Sequence, residues 1–226
     1  DFVLWFKRVG KFAQHDLHWP SPWGDGFPGW HIECSAMGIK YLGEQFDLHT
    51  GGIEHIPVHH TNEIAQSEGA TGKAPFVRYW LHNEHLNVPE GKMAKSLGNV
   101  ASLRDIEARG IDPLAFRYLC LHTHYRKPLA FSWTALENAA KGLRHLQLKV
   151  ASLGSEAKVG CAEFEAQFRA AANDDLNTPA ALAVLHAVLR SDYPVAAKRR
   201  SVLVFDEVLG LRLATANMPQ PSANVR

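Results

Sequence analysis

The chain has 226 residues, of which 46% are hydrophobic and 21% charged, a globular profile long enough for one large domain or two small ones. Lys plus Arg number 24 against 23 for Asp plus Glu, so no bulk charge drives the protein to nucleic acid or membrane, and such a partner has to be met by a local patch. No apolar run approaches the roughly 20 residues of a membrane span, and no signal peptide opens the chain. Three scattered cysteines, Cys34, Cys120 and Cys161, argue for a reducing cytoplasm and against a disulfide frame.

The first stretch, "DFVLWFKRVG", lacks Met and is already strand-like, the mark of a piece of something longer. "SPWGDGFPG" is punctuated by Pro and Gly and reads as loop. "WHIECSAMGIKYLG" carries Ile32, Ala36, Ile39 and Tyr41 and ends at Gly43, a short helix with a glycine stop. "QFDLHT" is a short strand closed by Gly51-Gly52, "HTNEIAQSEGAT" a helix ending at Gly69 or Gly72, and "FVRYWLHNEHLNV" an aromatic-rich strand. Alternating short strands and helices imply an α/β unit with a partly parallel sheet. Composition changes near residue 100, from Gly, Pro, Trp and His to Ala and Leu.

Helices then follow one another. "SLRDIEARGI" has Ser102 as N-cap and Asp105 three residues on. "PLAFRYLCLHT" places Pro113 at the first helical position. "SWTALENAAKGLRHLQLKVASLG" aligns Trp133, Leu136, Ala140, Leu143 and Leu146 and stops at Gly154. "CAEFEAQFRAAANDD", "TPAALAVLHAVLRS" and "AAKRRSVLVFDEVLGL" are three more helices, and "ATANMPQPSANVR" has no periodicity.

The chemistry concentrates in "HTGGIEHIPVHHTNEIAQSE", which holds His49, His55, His59 and His60 beside Glu54 and Glu63. On a helix His59 and Glu63 are i and i+4 and share a face, as His60 and Glu63 do at i and i+3. One imidazole nitrogen and one carboxylate oxygen suit a divalent metal. Cys34 is the best third donor, because a helix start lowers a thiol pKa. A capped histidine, a solvated glutamate and a buried cysteine fit the same spacing, which leaves both readings open. The loop "GKMAKSLGN" sets Lys92 and Lys95 three apart, a pair able to embrace a polyphosphate. A solvated basic loop is the bland alternative, yet K-M-x-K-S followed by L-G-N is far more particular than a charge run.

Together "SPWGDGFPGWHIECSAM", "FDLHTGGIEHIPVHHTNEIAQSE", "YWLHNEHLNV", "GKMAKSLGN", "DPLAFRYLCLHTHYRKPLAFSW" and "NDDLNTPAAL" resemble cysteinyl-tRNA synthetases of class I, in the family's order and over nearly the whole chain. The resemblance implies a fold: a partial Rossmann-like class I catalytic core followed by an all-α helical bundle. Residues 1–100 would be the C-terminal part of the catalytic domain, 101–155 a stem-contact region, 156–213 the start of the bundle that binds the tRNA anticodon stem, and 214–226 a flexible tail. It implies a ligase that activates L-cysteine with ATP and Mg2+ and transfers it to tRNA(Cys), acting as a cytoplasmic monomer without a membrane partner.

Residue by residue, Cys34, His59 and Glu63 match three of the family's four ligands to one Zn2+, which binds the substrate thiolate. Cysteine must be told from serine, and a zinc ion prefers thiolate where an apolar pocket gives little contrast. Trp30 matches a tryptophan of the amino-acid pocket, where His59 also meets the substrate. Gly51, Gly52 and Glu54 match the segment that meets adenosine, and His82 and Asn83 lie where the backbone approaches adenine. Lys92 and Lys95 match the catalytic lysine loop, Lys95 being the ATP lysine. His60 falls to an orienting or capping role, His55 to the site entrance and His49 to structure.

Three departures from the family's pattern stand out. The fourth zinc ligand, a cysteine, and the His-x-Gly-His loop have no counterpart here, so the chain as given should activate cysteine poorly. Ala94 replaces the usual serine of the lysine loop, and the anticodon-binding end is short. Two rivals share these residues: a cysteine ligase of mycothiol synthesis, which needs no tRNA, and a non-catalytic zinc-binding paralog.

Overall fold

The computed structural model describes residues 3–88, 91–92 and 102–215. It divides into two compact units, Asp1–Glu84 and His85–Arg226. The compositional break near residue 100 and the tail from 216 onward lie outside the described residues.

In the first unit, β1 (Trp5–Lys7) and β2 (Gly26–Pro28) form an antiparallel ribbon, with Phe6 opposite Phe27. Gly26 is required there, because a Cβ on it would run into the carbonyl oxygen of Phe6. Helix α1 (Trp30–Leu42) ends at Gly43, whose φ of 99° side chains rarely adopt. Strand β3 (Phe46–Gly52) leads through a 3-10 turn (Ile53–His55) and a π-helical turn (Ile56–His60) into α2 (Thr61–Thr71), which Gly72 closes in the left-handed region. Strand β4 (Val77–Asn83) then pairs parallel with β3, setting Gly51 opposite His82 and Gly52 opposite Asn83. The strand–helix–strand order is that of a βαβ unit, and α1 packs on α2. The interior between these elements is polar: Ser35, His59, His60, Glu63, Gln66 and Ser67 are all buried, beside Phe76 and Val77.

The second unit opens with β5 (Leu86–Val88), β6 (Gly91–Lys92), α3 (Leu103–Ala108), α4 (Leu114–Leu121) and β7 (Leu129–Ala130). β5 is central, antiparallel to β6 and parallel to β7. The aromatic-rich run 76–88, expected as one strand, is therefore two strands in different sheets. Four helices follow: α5 (Trp133–Ala151), α6 (Ala162–Asn173), α7 (Thr178–Arg190) and α8 (Val195–Leu209).

Four helix starts in this unit have a local chemical cause. The Ser102 hydroxyl accepts the Asp105 N–H while the Asp105 carboxylate accepts the Ser102 N–H at 2.7 Å, a full capping box worth about 1 kcal/mol. Ser132 caps α5 through Ala135, and Asn177 caps α7 through Ala180 with Pro179 in the first turn. Pro113 is the N-cap of α4, one residue before the expected position. Apolar stripes of α5, α7 and α8 meet in one core, where Leu146, Val150, Leu185, Val188 and Phe205 are almost wholly buried. Phe168 and Phe205 stack there, centroids 4.2 Å apart. A smaller cluster joins Val88, Ile106, Ala115, Phe131 and Leu136. The fold is thus a mixed α/β region with a parallel strand pair, followed by a helical bundle.

Candidate metal and nucleotide site

Four elements of the first unit converge on Glu63. Strand β3 brings His49, the π-helical turn brings His59 and His60, α2 carries Glu63 itself, and α1 brings Trp30, His31 and Cys34. The wide π-turn replaces the plain helix expected for His59 and His60. Both histidines still reach Glu63, with Nε2 at 3.5 Å and 3.8 Å from Oε2 respectively.

The donor atoms of Cys34, His59 and Glu63 lie within 4.8 Å of one another. The same holds for His49, His60 and Glu63, and for His55, His59 and His60. His59, His60 and Glu63 are 5%, 3% and 1% exposed, so water solvates none of them well. Burial, reinforced by neighbouring imidazoles, lowers His59 to about 4 and His60 to about 3, which keeps both rings neutral and able to donate a lone pair. Burial pushes the Glu63 carboxyl up, against the opposing pull of His49, whose Nε2 lies 3.1 Å from Oε2. Glu63 Oε1 is buried without a hydrogen-bond partner. A carboxylate oxygen orphaned beside neutral imidazoles and a thiol is the donor chemistry a zinc-type cation satisfies, so these residues fit such an ion.

The Cys34 thiol departs from expectation. Trp30–Glu33 fill the first turn of α1, so Cys34 stands past the free N–H groups. Burial pushes its pKa up, and the Glu63 and Glu33 carboxylates push the same way. Trp30 is largely exposed, yet its ring stacks on His59 with centroids 4.5 Å apart and meets His55 edge-on.

Two residues have roles that spacing did not reveal. His31 Nδ1 lies 2.7 Å from His59 Nδ1, and His82 Nε2 lies 2.7 Å from His60 Nδ1. His31 sits three residues before Cys34 on the same helix face, a spacing that could have drawn attention to it. His82, matched only to the adenine side, also buttresses His60. His49, expected to be structural, touches Glu63 directly.

Gly51, Gly52, His82 and Asn83 lie at the carboxyl ends of the parallel pair, the usual place for ligands on such sheets. A Cβ on Gly52 would meet the Glu54 carboxylate, the end of an exposed and flexible side chain. The backbone of Lys92 ends β6. Lys95 and Ala94 lie outside the described residues.

The family model for the catalytic domain of class I (C) tRNA synthetases matches residues 1–141, and that for the DALR domain matches residues 167–191. The chain belongs to the class I (C) tRNA synthetase family. A cysteine–tRNA ligase of Treponema denticola is 46% identical, covering 94% of this chain and 48% of the relative. A cysteine–tRNA ligase of Burkholderia lata is 48% identical, covering 94% and 45%. The chain thus spans about half the length of the curated relatives it matches. The LeuRS–tRNA–LeuAMS ternary complex of Agrobacterium radiobacter shares the synthetase fold at TM-score 0.58 and 16% identity, over 86% of this chain and 32% of that one. Among the described residues no helix is long and apolar enough to cross a membrane.

Proposed function

We propose that this chain is part of a ligase that activates L-cysteine with ATP and Mg2+ and transfers it to tRNA(Cys). The observation that carries the reading is the Cys34–His59–Glu63 donor set, beside the carboxyl ends of two parallel strands, in a chain of the synthetase family. Cys34, His59 and Glu63 would hold one Zn2+, which when bound supplies a cation that favours a thiolate over a hydroxyl. Trp30, stacked on His59, walls the amino-acid side. Gly51, Gly52 and Glu54, with the His82–Asn83 backbone, seat the nucleoside. Lys92 and Lys95 meet the phosphates and stabilise charge that develops as pyrophosphate leaves. The 1–100, 101–155 and 156–213 segments serve as catalytic, stem-contact and anticodon-stem parts, the last favoured by the DALR match. The same match, and relatives that are tRNA ligases, favour tRNA over an amino-sugar acceptor.

The test is cysteine-dependent ATP–pyrophosphate exchange, and charging of tRNA(Cys), by the complete protein that contains this chain. Lys95→Ala should lower exchange roughly a hundredfold, equivalent to about 3 kcal/mol of transition-state stabilisation. Exchange that proceeds equally without cysteine, or is unmoved by Lys95→Ala, would refute the reading.

A further inference from the structure

Two motifs that the ligase reading leaves without chemistry meet in the second unit. "HTHYRKP" connects α4 to β7, and "NDDLNTP" spans the corner between α6 and α7. Asp175 joins them. Its Oδ1 accepts the Tyr125 hydroxyl at 2.5 Å, Arg126 Nε lies 2.6 Å from its Oδ2, and Arg126 Nη2 donates to Oδ1 at 3.4 Å. The His124 ring stacks on Tyr125, centroids 4.9 Å apart, and brings its Nε2 within 4.0 Å of the same carboxylate.

An exposed ion pair alone fixes little, and the Arg126 side chain is 65% exposed. The backbone shows that more is held here. Asp175 and Leu176 are consecutive non-glycine residues with φ of 51° and 54°, in the left-handed region that side chains disfavour. Such strain persists only where the surroundings over-determine it. Asp174 closes α6 on one side, and on the other Asn177 caps α7 by accepting the Ala180 N–H at 3.2 Å. The corner thus aims one carboxylate at one loop.

The far end of that loop leads to the lysine motif. The Lys127 N–H donates to the His124 carbonyl at 2.8 Å, Pro128 stiffens the next step, and β7 begins at Leu129. The Leu129 N–H donates to the His85 carbonyl at 3.0 Å, and the Phe131 N–H to the Asn87 carbonyl at 2.7 Å. Asn87 has Ala130 beside it on one side and Lys92 on the other. A short, turned segment therefore links Arg126 to the sheet whose far strand carries Lys92.

We propose that Asp175 is a positioning residue for the lysine loop: by gripping Tyr125 and Arg126 it fixes β7, and through β5 it fixes the point at which Lys92 leaves the sheet. The role rests on the ligase reading, in which Lys92 meets phosphate. The α6–α7 corner and the phosphate-binding strand then hold together as one piece, and loss of the carboxylate lets the strands work loose from the bundle.

Deuterium uptake and kinetics, both on the complete protein, test this together. In Asp175→Ala the amides of β5, β6 and β7 should take up deuterium about tenfold faster, with those of α5 and α8 unchanged. Cysteine-dependent ATP–pyrophosphate exchange should fall about tenfold in kcat, with the KM for cysteine unmoved. The double variant Arg126→Ala/Asp175→Ala should be no worse than Asp175→Ala, because the arginine acts through that carboxylate. Unchanged uptake in β5, β6 and β7 would overturn the coupling. Faster uptake there with an unchanged kcat would overturn the positioning role, and equal loosening of α5 and α8 would reduce Asp175 to a structural residue. Loosened strands in a protein whose pyrophosphate exchange never required cysteine would instead refute the ligase reading and leave the coupling standing.

Discussion

Gly51 lies against the ring of His60: a Cβ on residue 51 would come within 2.6 Å of His60 Cε1 and 3.0 Å of Nε2. The strand end at Gly51 and the His60 ring beside Glu63 thus compete for one volume. His60 is buried and cannot retreat. Gly51→Ala should destabilise the first unit by about 1–3 kcal/mol and weaken metal binding with it. Gly69 is the control, since a Cβ there meets nothing within 4 Å in the last turn of α2. Gly69→Ala should raise stability by about 0.5–1 kcal/mol and leave metal binding alone. Denaturant midpoints with and without chelator test both, and a Gly51→Ala variant as stable and as metal-competent as the wild type would refute the packing argument.

Asp206 fastens the chain beyond α8. Its carboxylate accepts N–H bonds from Leu211 at 2.6 Å and Leu213 at 2.7 Å, and both leucines are buried in the bundle core. Asp206→Ala should cost about 2–4 kcal/mol, because two charge-assisted bonds go and two apolar anchors loosen. Asp206→Asn, which keeps an acceptor, should cost less. Equal midpoints for the two variants would mean that the carboxylate is not the anchor.

Direct reading of the substrate by metal makes a kinetic prediction. Glu63→Ala should raise the KM for cysteine about tenfold or more, narrow the preference for cysteine over serine, and leave the KM for ATP nearly unchanged. A metal that only scaffolds the fold predicts parallel losses with the preference intact. Saturation curves for both substrates, with serine as competitor, separate the two.

The bundle should lose stability in acid. His186 Nε2 lies 3.3 Å from the Tyr118 hydroxyl, and burial holds His186 below its ordinary 6.5. His122, edge-on to Tyr118, is lowered by burial as well. Their unfolded forms take up protons first as pH falls. The contribution of the neutral rings is therefore complete above about 6.5 and is lost as pH drops below it toward the folded pKa values. Thermal midpoints between about pH 7.5 and about pH 5 should fall, and His186→Gln should flatten the slope. An identical slope in the variant would assign the acid loss elsewhere.

The helices were legible because their signals are local. Ser102 with Asp105, Asn177 with Pro179, and the glycines at 43 and 72 mark ends by chemistry that acts within a turn. Cys34, His59 and Glu63 were recognisable as a set from motif order. Long-range relations were not. The run 76–88 looks continuous because one pattern serves two sheets, and the partnerships of His31 with His59 and His82 with His60 join residues far apart in sequence. The rise of the Cys34 pKa depends on Glu63 and burial, neither visible from the position of a cysteine near a helix start.

The register of β3 on β4 sets His82 opposite Gly51, and His82 in turn holds His60. A slip by one residue would turn alternate side chains to the other face and carry His82 away from that ring, just as a slip of β3 would carry His49 from Glu63. Strand pairing and the interior polar cluster are therefore set in one event: a chain whose two strands meet out of step leaves the buried His60 ring and the buried Glu63 carboxylate without the partners that hold them.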